Sequence, residues 1–433
     1  MTSPRRLEQD LPALLGDLYL TGTPVYRDDL VQLVARTSQR PAWIFPGRWF
    51  PMEVVTTRVP ATRLPMRQLG VLALIAILLA TALAVYVGSQ QPKLPPAFGV
   101  ARNGLIAYDS GGDIYVVDVK TGETTAVIAT PDNDLEPRFS RDGTRLVFRR
   151  AADGRSRLFV TDMSAAASVE ITTEPVSLTP SLGGEPWEQY QFSPDGRSVV
   201  IASLDGANPG ISIANADGTG IRRLNVGVPA HEPSFRPPDG REIVFVGVGD
   251  GSSGIYAVDV STGAVRTVVQ PSDGYSVAGA TWAPDGSHIA YWRWGGSSAR
   301  INAQTHVIAA DGSGDRELPR PAAAVWNAGS EWSNGGRYLA IVRGYTDSFQ
   351  DVRLAVAPVD GSSPGREILV PGTLNAECCA TFEWSPDDSS LLVTPAGPGG
   401  EPQPQVIIDV GDGTTRPAPW GSTSDPTWQR LAE

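Results

Sequence analysis

Cysteine and histidine are nearly missing from this sequence of 433 residues: there are two of the first, adjacent at Cys378 and Cys379, and three of the second. Two neighbouring thiols leave no disulfide framework, no zinc quartet and no spaced CxxC. Lysine is scarce as well. Of 35 basic residues only Lys93 and Lys120 are not arginine, a bias that reflects a GC-rich bacterial genome rather than chemistry. Charged residues make up 19% of the chain against 41% hydrophobic, which is too apolar for disorder. With 46 Gly and 37 Pro the chain is also too rich in turn residues for a helical bundle. What remains is an all-β fold with many tight turns.

The net charge of −12 is unevenly placed. Residues 1–68 hold nine Arg and six acids, whereas the chain after residue 88 holds 26 bases and 41 acids. A strongly acidic C-terminal part does not track a phosphate backbone, so nucleic acid is excluded as its partner.

One long apolar run divides the two parts. No charge occurs between Arg67 and Lys93, and residues 69–87 read LGVLALIAILLATALAVYV. As a helix this run spans about 28 Å, close to the hydrocarbon thickness of a bilayer. Arg58, Arg63 and Arg67 crowd its N-terminal side, which predicts a single-pass protein with its N-terminus cytoplasmic and the rest extracytoplasmic. A Pro-rich spacer follows over 88–102. In that oxidising setting Cys378 and Cys379 form either a vicinal disulfide or two buried thiols; neither reading carries a catalytic role.

Seven aromatics recur beyond the spacer: Phe139 in PRFSRDG, Phe192 in YQFSPDG, Phe235 in PSFRPPDG, Trp282 in TWAPDG, Trp332 in EWSNGG, Trp384 in EWSPDD and Trp428 in PTWQR. Their spacings are 53, 43, 47, 50, 52 and 44, the period of propeller blades. In the FSPDG-type segments Pro presets a turn after the aromatic, Asp bonds back to the chain and Gly takes the positive-φ position. An apolar second strand follows, such as RLVF (145–148) or EIVF (242–245). The third resembles DIYVVD (113–118) or GIYAVD (254–259), and an Asp-x-x-Thr-Gly turn leads to a fourth. Four antiparallel strands in each of seven units predict a seven-bladed β-propeller over 103–433. The first unit lacks its own aromatic and Trp428 has no strands after it. The C-terminal strand should therefore complete blade one and remove the free edge.

These residues resemble the TolB-type propeller repeat, a relative of the WD repeat without its Gly-His and Trp-Asp dipeptides. The Phe139, Trp332 and Trp428 units lack the Pro-Asp part of the turn. Such propellers scaffold binding surfaces of many kinds, so the resemblance implies a fold rather than an activity.

Propellers of this kind also precede α/β-hydrolase domains. No GxSxG nucleophile elbow is recognised, and no chain remains after Trp428 to build a catalytic domain. His231, His288 and His306 fall on predicted strands and read as structural residues. There is no HExxH, P-loop or strand-to-helix GxGxxG. The loops DNDLE (132–136) and DGSGD (311–315) lack calcium-loop spacing, and hairpin turns account for the frequent Asp-Gly pairs. The sequence therefore assigns no catalytic, cofactor or metal residue and singles out no ligand contact.

Residues 1–67 are expected to form two short amphipathic helices, one through Leu7, Leu11, Leu14, Leu15 and Leu18, the other with Thr23 as its cap and Pro24 at its first position. They are too small to enclose a core and call for the lipid bilayer or a protein partner. The layout resembles that of membrane-bound anti-sigma factors, which implies a sigma factor as partner for 1–67. The expectation is thus a membrane-anchored, extracytoplasmic binding or sensing propeller. A signalling protein acting through 1–67 and a metal-dependent propeller hydrolase are the alternatives.

Overall fold

In the computed structural model residues 98–433 are described except 153–154, 166, 173–189, 204–209, 250–251, 273, 296–301, 347–350, 371–380, 396–402, 423 and 433; before them, residues 74–79 and 81 are described. The chain divides into two units, Met1–Gln91 and Pro92–Glu433.

The repeats of the second unit become seven antiparallel sheets of four strands each, numbered β1 to β28 along the chain. The turn chemistry read in the sequence is what reverses the chain after each aromatic. In the third blade Asp195 Oδ1 accepts the Ser193 hydroxyl at 2.6 Å and the Arg197 N–H at 3.1 Å, and Gly196 sits at φ 67°. The other predicted turn is equally explicit: Asp259 accepts the N–H groups of Ser261 and Thr262, and Gly263 stands at φ 73°.

Closure is as expected. The first blade is ordered β28 (Thr427–Leu431), β1 (Arg102–Ser110), β2 (Asp113–Val117) and β3 (Thr124–Ile128), with Ile106 opposite Trp428. The sheets bury their apolar faces against one another, so the hydrophobic cores lie between blades. Phe192 packs with Val147, Leu158 and Val160 of the blade before it, Trp282 with Val244 and Val246, and Trp428 with Leu392 and Ile407. Each repeated aromatic is therefore a bolt into the preceding blade.

The turn glycines serve the same joint. A Cβ on Gly286, at φ 70°, would stand 1.9 Å from the carbonyl oxygen of Pro237 in the preceding blade. By contrast Gly122, at φ 72°, has nothing within 4 Å. Gly122→Ala should cost about 1 kcal/mol from backbone strain alone, and Gly286→Ala about 3 kcal/mol because strain and overpacking add. Chemical denaturation of the two variants checks the difference; equal losses would remove the role given to blade contact.

Strand polarity gives the ring two faces. The turns joining first to second and third to fourth strands share one, here the turn face. The remaining connections leave from the opposite loop face. The chain reaches β1 across the turn face, where the Ala101 N–H donates to Pro386 O at 2.8 Å.

Of the expected membrane helix, 69–87, residues 74–79 and 81 are described and helical. Leu74, Ile75, Ile77, Leu78 and Leu79 are all exposed. Among the described residues no helix is long and apolar enough to cross a membrane, and the rest of 69–87 lies outside them. Residues 1–67, the spacer up to residue 97, and Cys378 and Cys379 also lie outside the described residues.

Candidate functional site

One strand of each sheet lines the axis of the ring: β4 (Asn133–Phe139), β8 (Tyr190–Phe192), β12 (Ala230–Phe235), β16 (Tyr275–Trp282), β20 (Trp326–Trp332), β24 (Thr381–Trp384) and β28. They enclose a cavity of about 380 Å³, within the range of small-ligand sites. Because the repeats are in register, positions counted from the aromatic form tiers along this channel.

The middle tier is the residue before the aromatic. It is polar in every blade: Arg138, Glu331 and Glu383 are ionisable, whereas Gln191, Ser234, Thr281 and Thr427 are not, and all seven line the cavity. These side chains also stitch the blades together. Glu383 accepts the backbone N–H of Trp428 at 2.6 Å, and Gln191 Oε1 accepts that of Phe235 at 3.2 Å. The indoles of Trp332 and Trp384 donate to the carbonyls of Thr281 and Glu331 at 3.2 and 3.0 Å.

Two residues beyond the aromatic is the turn-face tier. Four blades place Pro there, at Pro194, Pro237, Pro284 and Pro386; the others place Arg141, Asn334 and Arg430. The three units that depart from the Pro-Asp motif are therefore those that bring polar groups to this mouth. Arg430 donates to Asn334 Oδ1 and, at 2.6 Å, to the carbonyl of Gly99, and Phe98 joins the cavity wall. The segment leading into β1 thus lies over the mouth.

Three residues before the aromatic is the loop-face tier, set on a β-bulge. Register shifts fall at this point of β4, β12, β16 and β20. Gly279 and Gly329 take positive φ there, 65° and 72°, but Glu136 and Glu232 adopt the same conformation at 56° and 52°. A non-Gly residue in this region is strained, and bulges re-aim side chains. Glu136 turns to Arg149, whose Nε donates to it at 3.1 Å. Glu232 is 4% exposed, lines the cavity, and accepts the Gly279 N–H from the next blade at 2.6 Å.

Charge is set deep in this channel. Burial, then repulsion from Glu383, pushes the Glu331 carboxyl up to about 8, and burial pushes Glu383 up to about 7 although Arg138, 3.6 Å away, holds it down. Burial and the neighbouring Arg141 bring Arg430 down to about 9. On the loop-face side Asp109 rises to about 6, chiefly by burial and then by the charges of Glu136 and Asp425. These are environments in which proton-transferring and ligand-binding groups are found. They also run from the sixth blade through the seventh to the first, so part of the network's role is to join these blades.

The residues weighed in the sequence fall elsewhere. His306 is 2% exposed; its Nδ1 lies 3.1 Å from Asp315 and its ring stacks on Tyr291. His288 Nδ1 meets the Ser287 hydroxyl at 2.7 Å, and His231 lies on β12. Among the described residues no group of three or more His, Cys, Asp or Glu could hold a metal ion. The carboxylates of the two calcium-like loops are engaged internally: Asp134 pairs with Arg150 at 2.6 Å and Asp311 closes its own turn on Ser313. One reading needs correction. A literal GxSxG does occur, Gly361 to Gly365, but it makes the turn between the third strand (Val352–Pro358) and fourth strand (Arg366–Ile368) of the sixth blade. With no helix behind it, Ser363 is a turn residue and not a nucleophile on an elbow.

Comparison with known proteins agrees with the repeat. Residues 188–318 match the TolB beta propeller domain family. A Protein TolB homolog of Chlorobium luteolum is 28% identical over 156 residues, 36% of this chain and 33% of that relative's length. The fold is shared with the oligogalacturonate lyase of Vibrio parahaemolyticus, at TM-score 0.55 and 14% identity over 73% of this chain and 86% of that one. It is shared too with a prolyl endopeptidase, at TM-score 0.51 and 12% identity over 74% of this chain and 50% of that one. The propeller is TolB-like; at such identities the two enzymes speak to fold alone.

Proposed function

We propose that this TolB-like propeller is a non-catalytic binding module that takes its ligand into the central channel from the loop face. One observation carries the reading: seven inner strands each contribute a polar side chain to one cavity, while Phe98 and Gly99 of the chain itself stand at the turn-face mouth. Convergent polar groups in a preformed concave site are the signature of ligand recognition. We further propose that residues 69–87 anchor the protein in a membrane with 1–67 on the cytoplasmic side, the layout that the charge asymmetry and the exposed Leu and Ile of 74–79 support.

Site-specific photo-cross-linking tests the channel. A photoreactive residue in place of Thr281 in the full-length chain should capture a ligand in native membranes, and the same residue in place of Thr125 on the outer strand β3 should not. Equal labelling at both positions would overturn the reading. A hydrolytic alternative draws on Glu331 and Glu383, two carboxyls of unlike proton affinity facing one cavity. Turnover of the captured ligand that is lost in Glu331→Gln and Glu383→Gln would carry that alternative instead.

A further inference from the structure

Each of the seven sheets ends in an outer strand, and one of these edges is built unlike the rest. We infer that β3, the outer strand of the first blade, is the surface through which two copies of this chain pair, edge to edge and antiparallel, into a two-fold dimer. The inference is independent of what the channel holds.

A free edge offers a row of unpaired backbone groups, and native proteins blunt such edges with charge, proline or brevity. Six outer strands follow that rule. β7 (Ser168–Glu170), β19 (Arg316–Glu317) and β23 (Arg366–Ile368) are short, and each carries a charge. β11 (Ile221–Leu224) holds Arg222 and Arg223, β15 (Val265–Val269) holds Arg266, and β27 (Thr415–Pro417) holds Arg416 and Pro417. Three of these arginines also tie the edge down: Arg222 donates to the Val260 carbonyl of the next blade at 2.7 Å, Arg366 to that of Val410 at 3.2 Å, and Arg266 meets Glu242 at 2.9 Å. β3 reads TTAVI, five residues with neither charge nor proline, and Thr124, Thr125 and Ala126 are exposed.

The register shows which amides face outward. The Asp118 N–H donates to the Glu123 carbonyl at 3.0 Å, and residues alternate along an antiparallel pair, so Thr125 turns its N–H and C=O toward β2 while Thr124 and Ala126 turn theirs away. A bulge at Val127 bends the strand beyond them, which leaves 124–126 as its straight part. With a two-fold axis at Thr125, Thr124 of one copy faces Ala126 of the other, and each such pair exchanges two backbone hydrogen bonds. Thr125 then meets its own counterpart, a favourable cross-strand pair. The nearest charge, Glu123, falls opposite Val127 of the second copy, so the two glutamates stand at opposite ends of the pairing.

Charge selects the occupant. Laid against their own copies, β11, β15 and β27 would gather arginines and β7 glutamates. β19 and β23 hold both signs, but Arg316, Arg366 and Glu367 are engaged within the chain. With 26 bases and 41 acids after residue 88, two copies repel over most of their surface and approach where charge is locally absent. On β3 they meet without repulsion, and two four-stranded blades become one continuous sheet.

Sedimentation equilibrium of the purified full-length chain in density-matched detergent tests this. The mass should rise from one chain toward two across roughly the micromolar range, as befits a small interface. Ala126→Pro removes an outward N–H and spares the bonds to β2, whereas Thr125→Lys sets two like charges face to face. Each should weaken association at least about tenfold. Thermal melts of both variants should match the wild type, which separates loss of pairing from loss of fold. A photoreactive residue in place of Thr125 should give a cross-linked dimer of this chain, distinct in mass from any adduct with a channel ligand. A monomer at every concentration, or a dimer equally strong in both variants and so held elsewhere, overturns the inference. An adduct at Thr125 with a different protein overturns it as well.

Discussion

A chain that stops at Pro426 should lose the cooperative fold of the whole propeller and not one strand of it. β28 is the innermost strand of the first blade, and it carries the bolt between the seventh blade and the first. Trp428 is 5% exposed against Ile106, Leu392 and Ile407. The rest of the strand is equally committed. Gln429 donates to the Gly143 carbonyl of the second blade at 2.8 Å, and a Cβ on Gly143 would stand 2.2 Å from the Arg430 carbonyl oxygen. Removal bares the inner edge of β1, strips both neighbouring blades and reopens the ring. Trp428→Ala alone should cost about 3–5 kcal/mol, a large part of the stability of a typical domain. The truncated chain should therefore be insoluble, or melt without a cooperative transition and yield to protease across blades one, two and seven. A soluble truncated protein with a cooperative midpoint near that of the intact chain would refute the closure.

Stability should rise as pH falls from about 8 toward 5, the reverse of ordinary acid denaturation. Glu331 and Glu383 bind protons more tightly in the folded chain, at about 8 and about 7, than the 4.5 of a free glutamate. Between those limits the folded protein holds protons that the unfolded chain releases, so acid favours folding and the benefit is lost as pH rises through the folded values. Asp109, at about 6 against 3.8, adds in the same direction over the lower part of the window. Because the channel carboxyls face a cavity, the total is on the order of 1–3 kcal/mol and not the full shift. Turn carboxylates such as Asp259, held at about 2 by Ser261 and Thr262, act oppositely, but only below the range of free aspartate. Denaturant midpoints across the pH range check this. Glu331→Gln should raise stability at pH 8 and flatten the slope. A wild-type chain that gains stability from pH 5.5 to 8, or a variant with an unchanged slope, would contradict the assignment.

The fold was legible because its determinants are local and repeated. An aromatic, a Pro-Asp-Gly turn and an apolar strand recur in register, and the missing aromatic of the first unit is balanced by the strandless Trp428. The site was less legible, and Arg141, Asn334 and Arg430 show why. In the sequence they are blemishes in a turn motif that blur the blade boundaries. Only when the seven inner strands surround one axis does the same position become a ring in which four members are Pro and three are polar. Arg138, Glu331 and Glu383 were hidden in another way, since alternation along one strand does not say which edge of a blade faces the axis. A signal existed nonetheless: aligning the seven units on their aromatics shows a polar residue before every one. Glu232 had no such signal, because its significance lies in a backbone conformation, φ 52°.

The two ends of the propeller meet in one sheet, Arg102 opposite Leu431, with the Arg102 Nε donating to the Ala432 carbonyl at 2.5 Å. A short linker could join them, and the backbone could be cut instead at a connection on the loop face between two other blades. Such a circular permutant would keep every strand pairing while moving the seam away from Trp428. The burden of holding the ring shut would then fall on whichever blade the designer chose.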